Sequence, residues 1–119
     1  MSKRADGELE REILDVLWDT NEPLQAADVR EALGSKLAYT SVATVLTRLW
    51  EKGSVTRLLA GRAFAYRPTL TREEWYAEQM LAVLENSPNQ RALLAGFVDK
   101  LSRRDRDAIR RMLDEGSQK

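Results

Sequence analysis

The chain has 119 residues, 43% of them hydrophobic and 32% charged, which is typical of one small globular domain or of a domain with an appendage. It contains no Cys and no His, so disulfides, zinc fingers, thiol nucleophiles and imidazole bases are excluded within one chain. A Gly-rich phosphate loop is also missing, and we expect a protein that is not an enzyme and that uses no metal or cofactor.

The first predicted element is an amphipathic helix that ends in the breaker cluster at residues 21–23. Its apolar positions recur at helical spacing: Leu9, Ile13, Leu14, Leu17 and Trp18. A short extended piece at residues 23–25 precedes a second helix, which carries Val29 and Leu33. Gly34 follows at the place where a helix-terminating glycine belongs.

A third helix is predicted from Tyr39 or Thr40 to Gly53. Its core-facing residues are Val42, Val45, Leu46 and Leu49, at the spacing of one helix face. Two short strands follow at 55–59 and 63–67, joined around Gly61, and the second alternates large and small side chains with a period of two. The order helix, short strand, helix, helix, hairpin is typical of a winged helix-turn-helix.

The remaining residues predict three helices, each opened by a hydroxyl three residues before an acid or amide, as in a capping box. The starts are at Thr71, Ser87 and Ser102, with Pro88 at a first helical position. Residues 71–119 are too few to bury their own apolar stripes, and an identical chain is the simplest partner. The predicted dimer-interface residues are Trp75, Tyr76, Met80, Val83, Leu84, Leu94, Phe97, Val98, Leu101, Ile109, Met112 and Leu113.

The predicted fold is therefore mainly α with a small β-hairpin wing, an α+β chain in the broad sense. Residues 1–70 would form a winged helix-turn-helix DNA-binding domain, and residues 71–119 a helical dimerisation region.

Several segments resemble the penicillinase-repressor (BlaI/MecI-type) family. They are Gly7-Glu-Leu-Glu10, Ile13-Leu-Asp-Val-Leu-Trp18, Tyr39-Thr-Ser-Val-Ala-Thr-Val-Leu-Thr-Arg-Leu49, Glu51-Lys-Gly53, Ala65-Tyr-Arg-Pro68 and Leu93-Leu-Ala-Gly-Phe97. The resemblance implies a cytoplasmic homodimer that binds a dyad operator in double-stranded DNA and blocks transcription. A cytoplasmic location also agrees with a sequence that has no membrane-length apolar run and no signal-peptide core at its start. Without Cys, the chain lacks the metal motif of the family's copper-responsive branch.

Cationic charge is concentrated in one block of the sequence. Residues 1–35 carry a net charge of −5, residues 36–67 a net charge of +5, and residues 68–119 are balanced. Such a block is the electrostatic footprint expected for contact with phosphates. Its cations are Lys36, Arg48, Lys52, Arg57, Arg62 and Arg67.

The polar face of the third helix is the predicted reader of base pairs, because a helix in the major groove needs short polar side chains near the bases. The residues assigned to it are Thr40, Ala43, Thr44, Thr47 and Arg48. Tyr39 and Ser41 either cap this helix or touch phosphates. Lys36, Lys52, Arg57 and Arg67 suit phosphate contacts, and Arg62 at the hairpin tip suits a phosphate or the minor groove.

The aromatic residues are interpreted as packing groups. Trp18, Trp50 and Phe64 are expected in the core and hinge rather than as stacking platforms for single strands. Two other functions remain compatible with the sequence. One is a small-molecule-responsive regulator, although the tail offers no convergent polar groups for a pocket. The other is an interaction module that does not bind DNA, against which the basic block argues.

The resemblance also implies a mode of release. Many family members are induced when a membrane-bound sensor protease triggers cleavage before a Phe in the dimerisation region. The matching bond here is Gly96–Phe97, where similar family members have Asn in place of Gly96. A glycine inside a helix is equally typical of close helix packing.

Overall fold

The computed structural model describes residues 6–34 and 37–116, so Lys36 of the basic block lies outside the described residues. The helices are α1 (Asp6–Trp18), α2 (Ala26–Leu33), α3 (Tyr39–Glu51), α4 (Arg72–Asn86), α5 (Gln90–Lys100) and α6 (Arg103–Gly116), and the strands are β1 (Leu24–Gln25), β2 (Val55–Ala60) and β3 (Ala63–Pro68). This order confirms the predicted winged helix-turn-helix followed by three helices. In the described part of the chain, no helix is long and apolar enough to cross a membrane.

The backbone divides into two compact units, Met1–Ala77 and Glu78–Lys119. The first unit therefore extends past the wing and takes in the beginning of α4. The functional division after residue 70 stays a prediction.

The wing belongs to a small antiparallel sheet with strand order β1-β3-β2. Leu24 pairs with Tyr66 in β3, and Ala60 pairs with Ala63 across the hairpin. Gly61 has a φ of 71°, while no non-glycine residue in the described ranges has a positive φ. A two-residue loop with a positive φ only at its first position is a type II′ turn, whose twist matches the flanking strands. Gly61 thus closes the hairpin and leaves Arg62 at its tip.

The core of the first unit lies where α1, α2 and α3 meet the base of the wing. Its buried residues come from all of these elements and from the beginning of α4: Ile13, Leu14, Leu17, Ala26, Val29, Val42, Val45, Leu46, Leu49, Val55, Tyr66 and Trp75. The helical stripes predicted for α1 and α3 are the stripes that face this core. Each fully buried aliphatic side chain stabilises the unit by about 1.5–3 kcal/mol relative to an exposed one.

The end of α3 is set by Gly53, which has a φ of 82°. Its N–H donates to the carbonyl of Trp50 at 3.0 Å, and the N–H of Ser54 donates to the carbonyl of Leu49 at 2.9 Å. These two bonds form a Schellman motif, which satisfies the last carbonyls of the helix and reverses the chain. The turn leads directly into β2, so α3 and the wing are adjacent in sequence and in space.

Two of the three predicted capping signals act as expected. At α4 the box is reciprocal: the Thr71 hydroxyl accepts from Glu74 N at 3.0 Å, and the Glu74 carboxylate accepts from Thr71 N at 2.8 Å. At α6 the Ser102 hydroxyl accepts from the N–H of Asp105 at 3.0 Å.

The start predicted for α5 is wrong. Asn89 is the N-cap and accepts from Ala92 N at 3.0 Å, so the helix begins at Gln90 and Pro88 precedes it. The Ser87 hydroxyl instead accepts from Asn89 N at 3.3 Å in a local turn. Asn caps a helix as well as Ser does, and the hydroxyl engaged in this turn leaves the capping position to Asn89.

Candidate nucleic-acid interface

The polar face of α3 is open to solvent. Thr40, Thr44, Thr47 and Arg48 are exposed, Ala43 is half-buried, and the opposite face of the helix is buried in the core. The structure therefore brings the residues predicted to read base pairs onto one accessible helix surface. The Thr47 hydroxyl donates to the carbonyl of Ala43 at 3.0 Å, so its oxygen is left as an acceptor.

The start of α3 carries no side-chain cap. Ala38 is the N-cap residue, and its carbonyl accepts from Ser41 N at 3.1 Å. The interpretation of Tyr39 or Ser41 as capping residues is therefore wrong, because both lie inside the first turn. Both side chains are exposed beside Thr40. Ser41 and Thr40, together with Arg48 two turns later, border a shallow groove against α1.

The cations of the basic block differ in how they are held. Arg48 and Arg62 are exposed, and neither forms an ion pair within the described ranges. Arg67 donates a long bond of 3.4 Å to the carbonyl of Asn21. Lys52 is engaged more firmly, since its Nζ lies 2.7 Å from the Glu10 carboxylate. Among the cations of the block in the described residues, Arg48, Arg62 and Arg67 are therefore exposed and without an ion-pair partner.

The Glu10–Lys52 pair joins α1 to the end of α3. Glu10 is the buried acidic residue of the core rim, with 8% of its surface exposed. Sequence reasoning missed this pair, because the two residues are 42 positions apart and lie on different elements. The pair links the C-terminal end of α3 to α1 and gives Lys52, whose side chain is 51% exposed, an anionic partner within the chain.

Arg57 is held between two aromatic rings. Its guanidinium carbon lies 3.6 Å from the centroid of the Trp50 ring and 4.0 Å from that of the Phe64 ring. Its Nε is buried and has no hydrogen-bond partner. The expectation of core packing for Trp50 and Phe64 is wrong, because they remain 41% and 38% exposed. Side chains two positions apart in a strand share a face, so the sequence could have placed Arg57 on the same face of β2 as Val55.

Trp18 packs against the core of the first unit, as predicted. Its indole Nε1 donates to the carbonyl of Leu70 at 2.9 Å, and Arg72 lies over its ring at 5.2 Å. Arg72 also pairs with Asp15 and Asp19, each at 3.4 Å. These contacts bind the beginning of α4 to α1.

Trp75, predicted to lie in the dimer interface, is buried within the single chain instead. It is 7% exposed in the core of the first unit, and its ring packs edge-on against Trp18 at 6.1 Å between centroids. The apolar stripe of α4 is therefore buried at Trp75 but exposed later in the helix, at Met80 and Val83. Periodicity identifies an apolar face, but it does not identify which surface covers that face. Tyr76 packs against Trp75 and stays 42% exposed.

The second unit exposes many large apolar side chains, which we call its apolar face. No residue of α5 or α6 is buried, and an open groove in this unit is lined by Met80, Leu81, Val83, Leu84, Leu93, Leu94 and Phe97. Val98, Ile109, Met112 and Leu113 are also exposed, and Leu101 is half-buried. Leu81 and Leu93 were not in the predicted set. Such a face is far too apolar for an isolated soluble unit and needs a covering surface.

Gly96 lies in the middle of α5, next to the half-exposed Phe97. A Cβ added at Gly96 would meet no atom within 4 Å. Close helix packing within this chain is therefore not the reason for a glycine here. The position faces open space in the single chain.

Known proteins share both the sequence and the fold of this chain. The profile of the family described as "Penicillinase repressor" matches residues 6–115. The transcriptional regulator BlaI of Mycobacterium tuberculosis is 41% identical over 114 residues, covering 92% of this chain and 83% of the relative. The solution structure of the DNA-binding domain of the repressor BlaI has a TM-score of 0.50 at 26% identity, over 62% of this chain and 93% of that domain. A mutant of Staphylococcus aureus MepR has a TM-score of 0.50 at 17% identity, over 92% of this chain and 76% of that chain, a likeness of fold alone.

Proposed function

The chain belongs to the penicillinase repressor family, and we propose that it is a sequence-specific repressor that binds a dyad operator in double-stranded DNA as a homodimer. The function is regulatory and not enzymatic. The observation that carries the proposal is the exposed Thr and Arg face of α3 beside an exposed wing. Gene repression requires access to the chromosome, and we therefore place the protein in the cytoplasm.

In this proposal α3 enters the major groove with its polar face against the base edges. Thr40 and Thr44 are short enough to let the backbone approach, and each offers a hydroxyl and a methyl group. Arg48 lies one turn after Thr44 and reaches a guanine edge or a phosphate. Good contacts of this kind discriminate against a wrong base by about 1–3 kcal/mol each.

The wing supplies phosphate contacts in the same proposal. Arg62 lies at the tip of the hairpin, and Arg67 lies on β3 with only one long hydrogen bond. Phosphate contacts set the register and orientation of the protein without reading sequence. Their energy comes largely from the release of counterions, and it therefore depends on salt.

A second copy of the chain is the proposed cover for the apolar face of the second unit. Val83, Met112 and Leu113 are 63%, 64% and 69% exposed, so most of their surface is available to a partner. Twofold pairing would present two α3 helices to two half-sites, as a dyad operator requires. The groove in this unit is lined entirely by apolar side chains. It offers no polar group to orient a small effector, which disfavours the small-molecule alternative.

Release by proteolysis is proposed at or near Gly96–Phe97. Phe97 lines the apolar groove, so a cut at this bond would divide α5 and remove interface area. Each half-site alone binds weakly, and dissociation of the dimer would therefore lower operator affinity. A membrane sensor protease system is the proposed partner in this step. Mass spectrometry of the protein from cells under cell-wall stress tests it: only intact chain, with the target genes induced, would exclude cleavage.

The test of DNA binding starts from the full-length protein and a random duplex pool. Repeated selection should enrich a sequence with twofold symmetry, bound at least about 10³ times more tightly than its scrambled version. Arg111→Ala, an exposed cation of α6 outside the basic block, is the matched control and should leave affinity unchanged. A protein that binds no duplex at 50 mM salt would instead be an interaction module.

A further inference from the structure

The outer half of the wing is not held by the hydrophobic core. Val55 and Tyr66 are buried at the base of the hairpin, whereas Leu58 and Leu59 are 75% and 66% exposed. On the β1 side, Gln25 Nε2 donates to the carbonyl of Ala60 at 2.9 Å. On the α3 side, the contact is the stack of Arg57 between Trp50 and Phe64.

This stack links three elements through one side chain. Arg57 lies in β2, Trp50 in the last turn of α3, and Phe64 in β3. A guanidinium carbon 3.6 Å and 4.0 Å from two ring centroids is within the range of a cation–π contact with both rings. Because the cation is held by a ring from each element, a shift of the hairpin relative to α3 would break at least one contact.

The same geometry makes Arg57 a poor phosphate ligand. An Arg that grips a phosphate side-on donates from Nε and one terminal nitrogen together. Here Nε is buried without a partner, so that pair of donors is not presented to solvent. Arg62, two residues beyond the end of β2, is exposed and keeps its full reach.

We propose that Arg57 is a positioning residue that sets the angle between the recognition helix and the wing, rather than a residue that neutralises a phosphate. This inference rests on the proposed DNA-binding function. The cation clamps Phe64 and the hairpin to Trp50, so that α3 in the major groove and Arg62 at the wing tip reach the same duplex. Without this contact, the other cations can still bind phosphates. A smaller fraction of the molecules, however, holds α3 and Arg62 in positions that reach the same duplex at once.

The test compares salt slopes of the full-length protein on a fluorescein-labelled duplex selected from the random pool. Arg57→Met keeps an unbranched side chain but removes the guanidinium and its charge, and Phe64→Leu removes one ring without changing charge. Arg62→Met is the matched control that removes a phosphate-binding cation. Anisotropy titrations from 50 to 200 mM KCl give affinity and slope for each variant, and thermal melts establish that each is folded.

Arg57→Met and Phe64→Leu should each weaken binding about tenfold with the wild-type salt slope, and the double variant should be little worse than either single variant. Arg62→Met should make the slope shallower by about 0.9 for each phosphate that is no longer neutralised. A slope for Arg57→Met as shallow as that of Arg62→Met would overturn the inference, as would wild-type affinity in the folded protein.

Two further outcomes are separated by the same titrations. If Arg57→Met does not fold, Phe64→Leu decides by the same two criteria, affinity and slope. Failure of the wild type to bind any duplex at 50 mM KCl would refute the DNA-binding function itself, and with it the role of Arg57.

Discussion

The salt dependence of operator binding can be worked out from the side chains of the interface. Arg48, Arg62 and Arg67 can reach outward, whereas Lys52 is paired with Glu10 and Arg57 is stacked between rings. Three such cations among the described residues of each protomer correspond to about six neutralised phosphates in the proposed dimer. The perturbation is a rise in salt from 50 to 200 mM, which penalises each released counterion.

Six neutralised phosphates predict a slope of log affinity against log salt of about −5, since each contributes about −0.9 on duplex DNA. A fourfold rise in salt should then lower affinity by roughly three orders of magnitude. If Lys52 and Arg57 also neutralised phosphates, about ten phosphates would give a slope of about −9 and a decrease of more than five orders of magnitude. The two structural interpretations therefore differ by about a hundredfold in the decrease of affinity between 50 and 200 mM salt.

Fluorescence anisotropy on the selected duplex measures this slope directly. The scrambled duplex is the control, because phosphate contacts do not read sequence and should give it a similar slope. A slope near zero would refute phosphate contact by the whole basic block. A slope near −9 would refute the count of three phosphate contacts in each protomer.

Three further predictions concern recognition, assembly and the extent of the folded unit. Thr44→Ala should cost about 1–3 kcal/mol of binding to the selected duplex and leave scrambled-duplex affinity nearly unchanged. Arg48→Ala also removes an outward cation, so it should weaken both duplexes but the selected one more; equal decreases on both duplexes for either variant would contradict base readout. Val83→Asp should convert the proposed dimer into a monomer in sedimentation at micromolar concentration, because pairing would bury an unpaired charge. Gln79→Asp on the same helix is the control and should sediment as the wild type does. A monomeric wild type would contradict the dimer. A fragment that ends at Ala77 should unfold cooperatively and melt at a higher temperature than one that ends before α4, because it retains the buried ring of Trp75. Equal melting temperatures would show that this ring does not stabilise the core.

Local patterns in the sequence were enough to predict most elements of this fold. The stripe of Val42, Val45, Leu46 and Leu49 requires one face of α3 to be covered, and the same period leaves the Thr face open. Gly53 and Gly61 stand where a helix end and a tight hairpin need positive φ, which glycine adopts without steric cost. The order of the elements and the exposed face of α3 can therefore be inferred from residues that lie close together in the sequence.

Two kinds of residue escaped this reasoning. The first are polar groups whose partners are distant in sequence, such as Lys52 with Glu10 and the Trp18 indole with the carbonyl of Leu70. The second are apolar residues that could pack against more than one surface. Trp75 lies on a helical stripe that also carries interface candidates, yet it packs against Trp18 in the first unit.

By itself, the sequence determined the winged helix-turn-helix, the exposed Thr face of α3 and the apolar face of the tail, because helix and strand periodicities decide which side of an element is apolar. Only the tertiary structure decided which cations face outward and which are held, since Arg57 and Lys52 look alike in the sequence as basic residues of one block. Their different environments arise from side chains that the fold brings to them from other elements, Phe64 in one case and Glu10 in the other. Periodicity identifies an apolar face that must be covered, whereas tertiary packing determines which surface covers it.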